Sequence, residues 1–197
     1  MNGTKDPAYT QRLMRLESFW WKRLFDVQRP YRWNIRRLRL GRTLDIGCGI
    51  GRNLGNLGGN AVGIDHNATS VAQARERGFV AYTPDEFRAA PDARDGSFDT
   101  ILLSHVAEHL TTEGCVALLE EYLPFLNPRG RVVLITPQEK GQRYDPTHIT
   151  FVDFERQREI FETIGCTVEK QYSFPFVRPL GKIFTHNEFV GVARRRG

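Results

Sequence analysis

The feature that most constrains this chain is the run Leu44-Asp45-Ile46-Gly47-Cys48-Gly49-Ile50-Gly51. A short apolar stretch, Thr43 to Ile46, leads into it, and a helix-compatible stretch from Arg52 to Leu57 leaves it. Glycines at alternate positions let backbone amides approach a ligand closely, and the helix that follows aims its N-terminus at the same point. Strand, glycine turn and helix together open a parallel α/β sheet with its ligand at the carboxyl ends of the strands. The next apolar run ends in Val62-Gly63-Ile64-Asp65-His66. It places Asp65 at the end of a second strand, where such sheets bind ribose hydroxyls.

The remaining sequence keeps the same alternation. Strands are expected at Thr43 to Ile46, Ala61 to Ile64, Phe79 to Tyr82, Thr100 to Leu103, Arg131 to Thr136, Thr167 to Phe174 and Glu188 to Ala193. Helices are expected at Arg52 to Leu57, Ala68 to Arg77, Glu113 to Leu126 and Asp153 to Ile164, with Gly78 and Gly165 as C-terminal caps. The predicted fold is therefore α/β: a Rossmann-like, seven-stranded, mostly parallel sheet with helices on both faces and an antiparallel last strand. Residues 41–197 form that domain, and residues 1–40 an aromatic and basic helical segment broken at Pro30. Within this segment Phe19, Trp20, Trp21, Phe25, Tyr31 and Trp33 are expected to pack onto the sheet, with a lid over the ligand as the alternative.

Composition narrows the class. At 197 residues, 40% hydrophobic and 26% charged, the chain has the make-up of one water-soluble domain. No apolar run approaches the ~20 residues of a membrane span. The three cysteines, Cys48, Cys115 and Cys166, are far apart with no CxxC pair, and read as reduced thiols in a cytoplasmic protein. The net charge of +5 is concentrated before the first strand and in Arg194 to Arg196. It reads as solvated faces, with an anionic acceptor as the functional alternative.

Taken together, the glycine turn and the Asp65 strand resemble motifs I and II of the class I S-adenosylmethionine-dependent methyltransferases. Asp95-Gly96-Ser97-Phe98-Asp99 before Ile101-Leu102-Leu103, and Leu126-Asn127-Pro128-Arg129-Gly130-Arg131 before Val132 to Thr136, are similar to that family's approaches to strands four and five. His148 to Phe151, followed by a helix and Gly165-Cys166, looks like its C-terminal pattern. The resemblance runs from about Leu40 to the end. It implies S-adenosyl-L-methionine as cofactor, with Asp45, Gly47, Cys48 and Gly49 beside its methionine and ribose portions, and Asp65, next to His66, on the ribose hydroxyls. Ser104 would meet its reactive end, and Glu86 and Phe87 are the candidates for adenine. A dinucleotide-binding dehydrogenase is disfavoured, because its glycines follow Gly-x-Gly-x-x-Gly and its ligand is a pyrophosphate.

After strand four, Ser104-His105-Val106-Ala107-Glu108-His109 would place His105, Glu108 and His109 at helical spacing on one face. With His148 of the strand-five loop they are the candidate catalytic residues, as bases for a hydroxyl acceptor. A structural helix-start pair is the plain alternative for Glu108-His109. The trio also resembles the Glu-x-x-Glu-His metal cluster of the ubiquinone-biosynthesis O-methyltransferases, with His105 in place of the first glutamate. That resemblance makes His105, Glu108 and His109 candidate ligands of a divalent metal such as magnesium, although imidazole suits zinc better. Read instead as His-x-x-Glu-His, the stretch offers a second function class, a zinc hydrolase; a cofactor-binding scaffold is a third.

A histidine cluster favours an oxygen acceptor, and the chain carries no Asn/Asp-Pro-Pro-aromatic motif of the kind that accompanies nucleic-acid nitrogen acceptors, so nucleic acid is not the expected partner. A sugar or glycan hydroxyl is the first expectation for the acceptor and a quinone or phenolic metabolite the second. A homodimer remains compatible with the sequence.

Overall fold

The computed structural model describes residues 28–196. The expected aromatic face from Phe19 to Phe25 lies outside them. The chain runs α1 (Arg29–Arg37), β1 (Thr43–Ile46), α2 (Arg52–Asn56), β2 (Ala61–Ile64), α3 (Ala68–Glu76), β3 (Ala81–Tyr82), α4 (Pro84–Arg88) and β4 (Phe98–Ser104). It continues through a 3₁₀ turn (Ala107–His109), α5 (Thr112–Tyr122), β5 (Leu126–Pro137), α6 (Glu139–Tyr144), α7 (Phe154–Thr163), β6 (Cys166–Phe174), a 3₁₀ turn (Arg178–Lys182) and β7 (Glu188–Arg195).

The strands form one seven-stranded sheet in the order β3-β2-β1-β4-β5-β7-β6. β7 runs against both of its neighbours, and the other pairings are parallel. This is the expected Rossmann-like sheet. The chain winds outward from β1 to β3 and then crosses back to β4, so the switch of direction opens a crevice between β1 and β4.

Both faces of the central strands are covered, which is why they read as continuous apolar runs. Ile101 and Leu103 face Phe87, Leu119 and Phe161, whereas Leu102 between them faces Ile35, Leu40 and Val190. The period of two thus divides one strand between two cores.

Several boundaries differ from the sequence expectation. The helix expected to reach Leu126 ends at Tyr122 and gives way to a 3₁₀ turn at Leu123–Phe125, because Pro124 cannot continue it. β5 accordingly starts at Leu126, paired with Phe98. β3 is shorter than expected because Phe79 leaves it to lie against the glycine turn, where a Cβ on Gly51 would come within 2.5 Å of its ring. The short helix α4 was not foreseen; Thr83 and Glu86 close a capping box at its start.

Candidate functional site

At the β1–β4 crevice the glycine turn is held by its neighbours. The backbone amides of Gly47 and Cys48 donate to Ile64 O at 2.7 and 3.0 Å. Gly47 has φ 76°, and a Cβ there would stand 2.3 Å from Val106 Cγ2. Only glycine lets the turn and the β4 exit approach so closely. Asp65 ties the turn to the second strand: its Oδ2 accepts from Gly49 N and its Oδ1 from Asn67 N, both at 2.8 Å.

The resulting cavity, about 300 Å³, is lined by Gly47, Cys48, Gly49, Asp65 and Ser104 among the residues expected to bind cofactor. Asp45 stands behind them, buried, with Oδ2 lacking a hydrogen-bond partner. Burial, then the charge of Asp65, raises its pKa to about 8 against a lowering hydrogen bond from Asn53. A carboxyl whose folded pKa exceeds its unfolded value stabilises the fold fully below the unfolded pKa, and that contribution is lost as pH rises through the folded one. The ligand-free protein should therefore lose thermal stability between pH 4 and about 8, and Asp45→Asn should flatten the profile. Parallel melting profiles for the two proteins would refute this assignment.

Three expected cofactor residues fall elsewhere. Phe87 is fully buried, its ring packed among Tyr82, Phe98, Tyr122 and Phe125, so no surface remains for adenine. Glu86 closes the α4 cap and pairs with Arg75 at 2.8 Å, outside the lining of the cavity. His66 is exposed and lies 3.9 Å from Asp65, also outside that lining.

The histidine cluster divides around Glu108. The stretch is not an α-helix: His105 has φ 60°, and only Ala107–His109 turn, as 3₁₀. The helical-spacing argument therefore fails. His105 lines the cavity, and both ring nitrogens are engaged, Nδ1 with Glu108 Oε1 at 3.2 Å and Nε2 with Glu188 Oε1 at 2.9 Å. Partial burial works against its charge, but the hydrogen bonds and charges of Glu108 and Glu188 outweigh it and raise its pKa to about 10. It is a clamped imidazolium at neutral pH, unable to serve as a base.

His109 turns the other way, its Nδ1 on Thr147 O at 3.2 Å, with its ring centroid 4.8 Å from that of His148. Neither His109 nor His148 lines the cavity. His105 and His109 thus do not converge, which removes both the His105-Glu108-His109 metal trio and the zinc-hydrolase reading of the same motif. His148 is held below its usual pKa by burial first, so it is neutral at physiological pH.

Glu188 and Tyr31 line the cavity but were not singled out as site residues in the sequence, Tyr31 being expected only to pack on the sheet or to belong to a lid. Tyr31 of α1 donates to His186 O at 2.6 Å, and burial followed by the Glu188 charge raises its pKa. Glu188 is the first residue of β7 and pairs in register with Pro137 at the end of β5. An acidic residue opening the reversed strand was the available signal, since among the described strands that one alone begins at the carboxyl edge of the sheet.

Residues 43–130 match a methyltransferase-domain family. A ubiquinone biosynthesis O-methyltransferase of Rhodopseudomonas palustris (strain HaA2) is 28% identical over 159 residues, 66% of this chain and 62% of that protein. One of Bradyrhizobium diazoefficiens is 28% identical over 68% of this chain and 63% of its own length. The chain thus spans a little over three fifths of these relatives. Among solved structures, a SAM-dependent methyltransferase from Archaeoglobus fulgidus has TM-score 0.66 at 20% identity, covering 90% of this chain and 99% of that one. The magnesium protoporphyrin IX methyltransferase of Synechocystis PCC 6803 with bound SAH has TM-score 0.65 at 16% identity, covering 98% and 97%. Sheet order, glycine turn and the match over residues 43–130 agree: the chain is similar to class I S-adenosylmethionine-dependent methyltransferases and shares their Rossmann-like fold.

Proposed function

We propose that this protein transfers the methyl group of S-adenosylmethionine to the hydroxyl of a phenolic, quinol-type small molecule. The observation that carries the reading is the cavity itself, which is lined by Asp65, the residue assigned here to the ribose, and by the His105–Glu188 pair beside the exit of β4. When bound there, the cofactor supplies a methyl already activated on sulfonium, leaving the protein to bind, align and manage one proton.

Gly47 and Gly49 bring backbone to the cofactor, and Asp65 accepts from its ribose hydroxyls. Clamped at both nitrogens, His105 fixes the Glu188 carboxylate in the cavity, where it can accept the acceptor's proton. A phenol ionises far more readily than a sugar hydroxyl and so suits a carboxylate acceptor of the proton. The loop that carries Thr185 to Glu188 into the cavity also exposes Phe176, Val177, Ile183 and Phe184. These exposed apolar side chains on the same loop favour a ring-bearing metabolite over the sugar or glycan expected from sequence, as do the names of the curated relatives.

Labelled S-adenosylmethionine offered with catechols, quinols, glycosides and RNA tests the reading: methylation of the phenolic set is expected, and exclusive labelling of glycosides or RNA would overturn it. Asp65→Ala should weaken cofactor binding by about 1.5–3 kcal/mol, the worth of a charge-assisted hydrogen bond, measured by calorimetry. Unchanged affinity would remove Asp65 from the site.

A further inference from the structure

The wall of the cavity next to Glu188 is built by α1. Tyr31 and Asn34 are three residues apart on that helix and so share one face, and both line the cavity together with Thr185 to Glu188. Packing fixes the helix there. Ile35 is buried with Leu102, Val133, Val190 and Val192, which sets α1 over β4, β5 and β7, and Tyr31 donates to His186 O, two residues before Glu188. The strands whose exits carry Gly47 and Asp65 lie on the other side of β4.

Asn34 is only 1% exposed, and a buried amide ordinarily has its polar atoms paired. Its oxygen is paired twice: Tyr172 OH donates to Oδ1 at 2.7 Å and Arg37 Nε donates to it at 3.0 Å. An arginine has donors only, so the atom that meets Arg37 is the amide oxygen, and the NH₂ group is turned the other way. Two donors fill both lone pairs of that oxygen. Nδ2 has no hydrogen-bond partner among the described residues, and the space that Asn34 borders is the cavity. The supports are themselves held, because the Arg37 guanidinium lies 4.6 Å from the ring centroid of Trp33 and 4.8 Å from that of Tyr172. A side chain locked in this way presents its remaining group in one direction, which is what recognition of a ligand atom needs.

We propose that Asn34 is a specificity-determining residue for the acceptor, its Nδ2 donating to an oxygen on the phenolic ring other than the one methylated. The inference rests on the phenolic reading above and narrows it. An acceptor that carries a methyl group at that place leaves the two N–H groups of a buried amide unanswered, and a site built to donate a hydrogen bond discriminates strongly against such an analogue. A quinol answers them, since its ring carries a second oxygen.

The test compares kcat/KM at saturating S-adenosylmethionine for the three methoxyphenols and the three cresols, matched pairs that differ in offering an ether oxygen or a methyl group. The parent should prefer one methoxyphenol over its cresol by about 10-fold or more. Asn34→Asp keeps an oxygen for Tyr172 and Arg37 and exchanges only the NH₂ group, so it should bring that pair to within about 3-fold, chiefly through KM, while calorimetry finds cofactor affinity within a few-fold of the parent. An amide that merely ties α1 to β6 predicts a parent that treats every pair alike, a result that would overturn the assignment and leave the phenolic reading standing. A preference retained in Asn34→Asp, or a loss of cofactor affinity in that variant, would overturn it as well. If none of the six phenols is methylated, both readings fall. The comparison within the parent protein stays decisive should the variant not fold.

Discussion

Glu188→Gln is expected to lower methyl transfer by about 10²-fold or more, the usual worth of a positioned general base, while cofactor affinity stays within a few-fold. Glutamine keeps the volume and a carbonyl oxygen that can still accept from His105 Nε2 at the observed 2.9 Å. It removes only the ability to take the acceptor's proton. Single-turnover rates with the best phenolic acceptor, beside cofactor titrations, separate the two effects. A variant that turns over like the parent would assign the proton to solvent or to another group and reduce Glu188 to a partner of His105. Equal loss of cofactor binding and turnover would show that it shapes the cavity instead.

Phe87→Ala is expected to cost about 3–5 kcal/mol of stability, the range for emptying a buried phenylalanine site. For a chain of this size that corresponds to a fall in melting temperature of roughly 6–20 °C. The ring touches Tyr82, Phe98, Tyr122 and Phe125, so its loss leaves a cavity joining α4 to the inner face of the sheet. Well below the melting point, cofactor affinity should be preserved. Weakened affinity with an unchanged melting temperature would restore the adenine role that the sequence suggested for this residue.

These two residues mark the division between what the sequence determined and what it left open. The alternation of strands and helices, the glycine turn and the place of Asp65 were legible because each rests on local chemistry: apolar periodicity, positive φ at glycine, and a carboxylate at a strand end. Pro124 and the Thr83–Glu86 capping box were equally local signals, present but not weighed.

The catalytic end was not legible. His105, Glu108 and His109 are adjacent in sequence, and a helix would have aimed all three at one point. The left-handed backbone at His105 sends its ring to Glu188, 83 residues away, and leaves His109 to meet His148 across the loop after β5. Phe87 and Glu188 were misread or missed for the same reason: burial and cavity lining are properties of packed elements distant in sequence. The apolar pattern and turn chemistry of the chain dictated which sheet would form. Only the tertiary structure decided which side of Glu108 each histidine occupies, because that depends on side-chain direction and on partners supplied by other strands.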